Sequence, residues 1–217
     1  MAVDLGRRGT RRAGPVRPNP DGASPLDPFM PTYDVAERHE IAVAAPAWIT
    51  MAAARDMDIH RSPLVRAIFA VRTLPARLRG APPRTPAPLL TETLALGWRV
   101  LANEPGRMIV VGAVTQPWHA DVTFHGRSPG AFVAFDEPGW AKIAWTLEAI
   151  PLGDFTSRFR TETRVVTTDA RSRWLFRRYW AVFSPGILLI RRASLRLVKS
   201  EAERRFQCAG QPGGGAL

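Results

Sequence analysis

Hydrophobic and polar residues follow two different periods along this chain. A period close to 3.6, typical of an amphipathic helix, runs from about residue 170 to residue 205. Its apolar face is formed by Leu175, Tyr179, Val182, Phe183, Ile190, Ala193 and Leu197. Alternation typical of strands occurs at 33–43, 98–103, 107–116, 140–150 and 155–168. The pattern predicts an antiparallel sheet followed by one long helix.

The remaining segments predict shorter elements. These are helices over 47–57 and 62–78, a proline-rich loop over 80–88, and short strands over 120–125 and 131–135. Pro185 and Gly186 interrupt the last helix, which predicts either a kink or a division into two helices. The order of elements predicts an α+β fold in which a curved antiparallel sheet wraps around the long C-terminal helix.

The domain organisation follows from the same pattern. A chain of 217 residues is long enough for one domain with a sizeable core. Residues 1–29 are rich in Arg, Pro and Gly without any period, which predicts a disordered basic extension. We expect the folded domain to span 30–206 and the glycine-rich residues 207–217 to form a flexible tail.

Positive charge is concentrated in the final helix. The net charge is +11, and residues 170–205 alone carry ten basic and two acidic side chains. Such a surface can attract anionic lipid or nucleic acid, or it can simply be a solvated helix face. We favour the solvated face over a nucleic-acid interface. Peripheral contact with an anionic membrane stays open as an alternative.

The cysteine and histidine patterns restrict the compartment and the chemistry. Cys208 is the single cysteine, so an intrachain disulfide is impossible and a cytoplasmic location is expected. The most apolar run, 180–190, is shorter than the roughly 20 residues that a membrane-spanning helix needs. The four histidines show no ligand spacing, and no phosphate or dinucleotide motif occurs. We therefore expect no metal and no cofactor.

Four pieces of the chain, in order, resemble the START-like superfamily, also called SRPBCC or Bet v 1-like. They are the run from Glu37 to Ala45-Pro46, the hairpin from Leu96 to Gly112, the strand pair 141–147 and 159–166, and the last helix, within residues 31–205. The resemblance implies a helix-grip fold, in which sheet and helix enclose an apolar cavity. Members bind lipids, sterols, polyketides or plant hormones, and some are polyketide cyclases or dehydratases. The family has no universal catalytic residues, so none is carried over.

Two polar residues interrupt the apolar face of the first strand. Glu37 and His39 alternate in phase with Val35, Ile41 and Val43. A buried carboxyl and imidazole could exchange protons with a substrate, because burial and mutual charge tune their protonation. The alternative is that both side chains reach water at the strand end. They are our candidate catalytic residues.

A second set of residues predicts a wall of the binding site. Thr161 and Thr163 share a face of their strand, Trp145 is on the neighbouring strand, and Tyr179 is on the final helix. Hydroxyl groups can orient a ligand oxygen and aromatic rings offer rigid apolar surface. Equally, the threonines suit strands and tryptophan suits an ordinary core. The opposite strand face, with Arg158, Arg160, Glu162 and Arg164, is expected to be solvated.

Three functions are consistent with these patterns. The first is binding of a small apolar or amphipathic molecule, lipid or polyketide-like, in an internal cavity. The second is a cyclase or dehydratase-like enzyme of the same fold that uses Glu37 and His39. The third is peripheral binding to anionic lipid or nucleic acid through the Arg-rich helix.

Overall fold

The computed structural model describes residues 23–58, 88–119 and 121–209. The predicted second helix at 62–78 and all but the last residue of the predicted loop at 80–88 lie outside these residues. So do residues 1–22 of the predicted extension and residues 210–217 of the predicted tail.

Within the described residues, six antiparallel strands form a single sheet. They are β1 (Val35–Val43), β2 (Arg99–Glu104), β3 (Met108–Thr115), β4 (Phe124–His125), β5 (Ala141–Gly153) and β6 (Thr156–Thr167). The order across the sheet is β1-β6-β5-β3-β2, and β4 also pairs with β3. A turn through Gly106, at φ 75°, joins β2 to β3, a conformation that glycine adopts without strain. The five long strands confirm the predicted strands to within a few residues.

Four helices accompany the sheet in the described residues. They are α1 (Ala47–Arg55), α2 (Leu89–Ala95), α3 (Pro129–Ala134) and α4 (Ala170–Ala209). The strand predicted at 131–135 is wrong, since this segment is α3. Pro129 occupies the first turn, where its fixed φ suits a helix, and the fully buried Phe132 anchors the helix to the sheet. The strand predicted at 120–125 shrinks to the two residues of β4.

The C-terminal helix α4 is continuous across Pro185 for 40 residues. The division into two helices, one of the two outcomes expected at Pro185, is therefore not observed. The buried positions on α4 are Ser172, Phe176, Leu195, Val198 and Ala202. Val182, predicted on the buried face, is 71% exposed. Within the described residues no helix has both the length and the hydropathy to cross a membrane.

The face of the sheet that packs against α1 and α4 is called the inner face. Buried side chains of the sheet, including Val111, Leu147 and Phe159, meet Ile49 and Met51 of α1 there. Leu195, Val198 and Ala202 of α4 complete this core. A long helix held by a curved antiparallel sheet is the helix-grip arrangement, so the fold expected from the resemblance is confirmed.

The expectation that the opposite, outer face of the sheet is solvated is correct for Arg158, which is exposed, and wrong for Arg160, Glu162 and Arg164, which are buried. The outer face of the sheet is therefore only partly solvated. Residues 23–33 cross it, with Leu26 and Met30 buried against Val110 and Ala144. Phe132 of α3 packs in the same cluster. Apolar residues at 26 and 30 supply the cover that the strand alternation alone could not reveal. The part of the predicted extension from residue 23 onwards therefore packs on the domain.

Beneath this cover lies a network of charged side chains, called here the outer ion-pair network. Arg164 is 2% exposed, its Nε donates to Glu162 at 2.8 Å, and its Nη2 lies 2.7 Å from an Asp27 oxygen. Its Nη1 donates to the Met30 carbonyl oxygen at 2.7 Å. Arg38 adds a second contact to Glu162, 2.6 Å long. All three guanidinium nitrogens of Arg164 thus have a partner.

Candidate ligand-binding site

Strand register places three of the predicted site residues in one row across the inner face. Glu37 of β1 pairs with Thr163 of β6, which in turn pairs with Trp145 of β5. His39 pairs with Thr161 in a neighbouring row. Directly opposed residues in antiparallel strands share a face. The sheet therefore brings together five of the six residues that the sequence singled out.

Glu37 and His39 lie close together between the sheet and α4. Glu37 is only 6% exposed, although β1 is an edge strand, because α4 packs over this strand. The His39 Nε2 atom is 3.6 Å from a Glu37 carboxylate oxygen, which is longer than a hydrogen bond. That nitrogen is buried and has no hydrogen-bond partner among the described residues. The His39 Nε2 atom therefore has an unused hydrogen-bonding capacity among the described residues.

Arg191 of α4 completes the arrangement, and the sequence reasoning missed it. Its Nη2 donates to the Thr163 hydroxyl at 2.5 Å, whereas its Nε is buried without a partner in the described part of the chain. Burial lowers the pKa of Arg191 to about 10, and the Glu37 carboxylate acts in the opposite direction. Glu37, His39, Thr163 and Arg191 are together called the inner polar site.

A signal for Arg191 was present in the sequence. Arg191, Leu195, Val198 and Ala202 are spaced by four, three and four residues, and the last three are buried on α4. This spacing places all four on one helix face. Arginine at the end of such a series was interpreted as part of the solvated basic surface, which the structure corrects.

The hydroxyl groups of Thr161 and Thr163 differ in whether their proton is free to donate a further hydrogen bond. The Thr161 hydroxyl donates to the Thr146 carbonyl oxygen at 2.7 Å, so its proton is already used. The Thr163 hydroxyl accepts from Arg191 and can still donate its own proton. Thr163 is therefore the better placed of the two to contact a ligand oxygen.

The two predicted aromatic residues flank the polar row. Trp145 is partly buried, and its ring centroid lies 6.4 Å from that of Trp98. Tyr179 of α4 packs against the buried cluster of Ala141, Val165 and Phe176, and Val165 lies in the row of the sheet next to Glu37. Its ring is 4.7 Å from that of Phe183. These contacts place apolar surface beside the inner polar site.

A separate recess opens near the end of β3. It has a volume of about 350 Å³ and is lined by Gln116, His119, Asp121 and Thr123. The predicted strand end at Gln116 and His119 therefore borders a concave surface. No group of three or more His, Cys, Asp or Glu side chains suited to a metal ion occurs within the described residues.

Comparisons with known proteins concern the overall arrangement. The chain is similar to the ZhuI aromatase/cyclase from a Streptomyces species, with 16% identity, 82% of this chain and 98% of that chain covered, and a TM-score of 0.30. It is also similar to the di-domain aromatase/cyclase BexL, with 15% identity and a TM-score of 0.27. The match covers 77% of this chain and 46% of that chain. The third similar structure is norcoclaurine synthase from Thalictrum flavum in complex with dopamine and hydroxybenzaldehyde, with 12% identity and a TM-score of 0.27. The match covers 82% of this chain and 88% of that chain.

No family model and no curated protein matches the chain. The function therefore has to be inferred from the inner polar site itself.

Proposed function

We propose that the inner face binds a small apolar or amphipathic organic molecule between the sheet and α4. Three buried side-chain nitrogen atoms lack hydrogen-bond partners among the described residues. One is Arg55 Nε of α1, and the observation that carries this proposal is that the other two, Arg191 Nε and His39 Nε2, belong to the inner polar site. They lie on a face that is otherwise mainly apolar.

The energetic reason is the cost of an unpaired polar group. A buried donor or acceptor without a partner costs about 1 to 3 kcal/mol, which a ligand oxygen would offset. Ligand sites commonly combine apolar walls with a few convergent polar groups. The ligand would place its polar end at the inner polar site and its apolar part against Trp145 and Tyr179.

The test uses the neutral fluorescent probe N-phenyl-1-naphthylamine, whose emission rises in apolar surroundings. We expect saturable binding of one probe per chain, and at least fivefold weaker binding for Trp145→Ala. Trp174→Ala is the matched control, because Trp174 is 56% exposed on α4. Non-saturable binding, or equal losses in the two variants, would contradict an inner-face site.

A second candidate function is catalysis by an enzyme of the cyclase or dehydratase type. It is favoured by the 3.6 Å approach of the Glu37 and His39 side chains. Either group could remove a proton from the carbon next to a carbonyl, and Arg191 could stabilise the resulting enolate oxygen.

Deuterium exchange at 4-phenylbutan-2-one in heavy water, followed by NMR, tests this function. We expect Glu37→Gln to abolish exchange while N-phenyl-1-naphthylamine still binds. Exchange at the parent rate in that variant would remove Glu37 from any catalytic role.

A third candidate is peripheral contact with an anionic membrane through the exposed side of α4. Arg177, Arg178, Arg192 and Arg196 are exposed there, and Arg178 lies 4.7 Å above the Trp174 ring. Arg191 does not belong to this surface because it points inward. Further along α4 the cations are paired, with Arg204 and Arg205 contacting Glu201.

Co-sedimentation with vesicles that contain phosphatidylserine tests this third function. We expect salt-sensitive binding that the double variant Arg192→Ala/Arg196→Ala weakens. Vesicle binding that is absent at low salt would reject it. A cytoplasmic location stays a prediction.

A further inference from the structure

We propose that the ligand is an amphipathic organic acid whose anionic oxygen binds the guanidinium of Arg191. This inference rests on the proposed binding function and specifies the ligand class. It starts from the rule that buried charges in proteins are paired with an opposite charge or satisfied by hydrogen bonds.

Three buried cations among the described residues, Arg160, Arg164 and Lys142, obey that rule. Arg160 contacts the Glu148 carboxylate at 2.7 Å, and Arg164 contacts both Glu162 and Asp27. Lys142 donates to the Val133 carbonyl oxygen at 2.9 Å. Arg191 differs, because its partner in the described residues is one neutral hydroxyl, that of Thr163. Arg55 of α1 also has a buried Nε without a partner among the described residues, but its hydrogen bond to the Asn103 side chain is exposed to solvent. A negatively charged oxygen is the group that the site lacks.

The nearby carboxylate does not fill this role. Glu37 attracts Arg191 through space, but no ion-pair contact joins the two side chains among the described residues. Its carboxylate lies instead beside His39. Arg191 is therefore left without a contact anion among the described residues. Thr163 is neutral, as are Thr161 and Trp145, which face the site from β6 and β5.

The surroundings also favour a single acidic group attached to an apolar body. One guanidinium matches one carboxylate or sulfonate, whereas a phosphate cluster usually meets several cations. Trp145, Ile143 and Tyr179 then offer apolar surface for the rest of the molecule. A fatty acid and an aromatic acid share this chemistry, and competition experiments separate them.

The experiment compares two probes that differ only by one anionic group. These are 8-anilinonaphthalene-1-sulfonate and its neutral parent N-phenyl-1-naphthylamine. We expect Arg191→Leu to weaken binding of the sulfonate about tenfold or more, the effect of losing one charge-assisted hydrogen bond. Binding of the neutral probe should change less than twofold. Arg191→Lys, which keeps the charge, should fall between the parent and Arg191→Leu.

Arg192→Leu is the matched control, since it removes the same charge from the exposed neighbouring position. It should change neither affinity more than twofold. Far-UV circular dichroism confirms that each variant is folded. Displacement of the neutral probe by decanoate but not by 1-decanol would support the preference for an acid. Displacement by benzoate at lower concentration than by decanoate would assign the ligand as an aromatic acid.

The outcomes separate the two proposals. Neutral-probe binding with a sulfonate affinity that Arg191→Leu leaves unchanged would overturn the acid preference and retain the binding function. Equal sulfonate losses in the Arg191 and Arg192 variants would also overturn it, because surface attraction would then explain the effect. Failure of both probes to bind the parent protein would reject the binding function itself.

Discussion

Arg164 on the outer face and Arg191 on the inner face are chemically identical side chains in opposite situations. Each of the three guanidinium nitrogens of Arg164 has a partner, and the Tyr33 ring lies 4.7 Å from its guanidinium carbon. Arg191 has the Thr163 hydroxyl and a buried Nε without a partner among the described residues. The first arginine completes a structure, whereas the second leaves a hydrogen-bonding capacity unused.

This difference is the basis for the proposed ligand site. On the outer face residues 23–33 bring their own carboxylate and carbonyl oxygens to the buried charges, so nothing further is needed there. On the inner face the helix brings a cation to a row of Glu37, Thr163 and Trp145 without a contact anion. Buried polar groups left unpaired in this way are expected at functional sites.

The largest predicted effect comes from breaking the outer ion-pair network. Arg164→Leu should lower the free energy of unfolding by about 3 to 5 kcal/mol, because it leaves Glu162 and the Met30 carbonyl short of a partner in a buried site. Urea unfolding measures this loss. Arg158→Leu, on the same strand but exposed, should change stability by less than about 0.5 kcal/mol. Similar values for the two variants would contradict the network's structural role.

The apolar cover of the outer face should contribute the next largest effect. Leu26→Ala removes a fully buried side chain and should lower the free energy of unfolding by about 2 to 4 kcal/mol. Leu152→Ala provides the control, since Leu152 is 52% exposed. Thermal and urea unfolding give the two values. A Leu26 variant as stable as the control would mean that residues 23–33 do not pack on the sheet in solution.

In the absence of ligand, Arg191→Leu should not lower the free energy of unfolding, in contrast to Arg164→Leu. Because the guanidinium is desolvated without a contact anion, its removal should leave the free energy of unfolding unchanged or raise it by up to about 1 kcal/mol. Urea unfolding of the parent and the variant is again the measurement. A loss above about 2 kcal/mol would show that Arg191 is a structural residue like Arg164.

The smallest predicted effect is the pH-dependent contribution of Asp27 to the free energy of unfolding. Burial raises the pKa of Asp27, but the Ser24 backbone hydrogen bond and Arg164 outweigh it, so the pKa lies below its usual value of 3.8. A carboxyl group with a lowered pKa stabilises the fold above that value and loses this contribution as the pH falls through its folded pKa. Asp27→Asn should therefore cost less than about 1 kcal/mol at pH 7, since Asp27 is 46% exposed.

The cost of Asp27→Asn should shrink as the pH is lowered from 5 to 2. Urea midpoints of the parent and the variant across this range give the comparison. A difference that grows towards low pH would contradict the assigned pKa direction.

Sequence periodicity was sufficient for the architecture and for placing most of the candidate residues on one face of the sheet. Alternation on β1 placed Glu37 and His39 inward, and the same rule placed Thr161 and Thr163. It could not show that Leu26 and Met30 cover Arg164, because a contact between residues 134 positions apart leaves no local pattern. Arg191 was missed for a different reason, since a charge on a basic helix suggests solvent until its spacing to Leu195 and Val198 is examined.

The most direct test of the central claim is NMR of the arginine Nε–H groups, assigned with Arg164→Lys and Arg191→Lys variants. On addition of 8-anilinonaphthalene-1-sulfonate, we predict a large shift of the Arg191 signal and no shift of the Arg164 signal. N-phenyl-1-naphthylamine should leave the Arg191 signal near its starting position. An Arg191 signal that the sulfonate does not move, although the probe is bound, would contradict the assignment of Arg191 as the anion-binding residue.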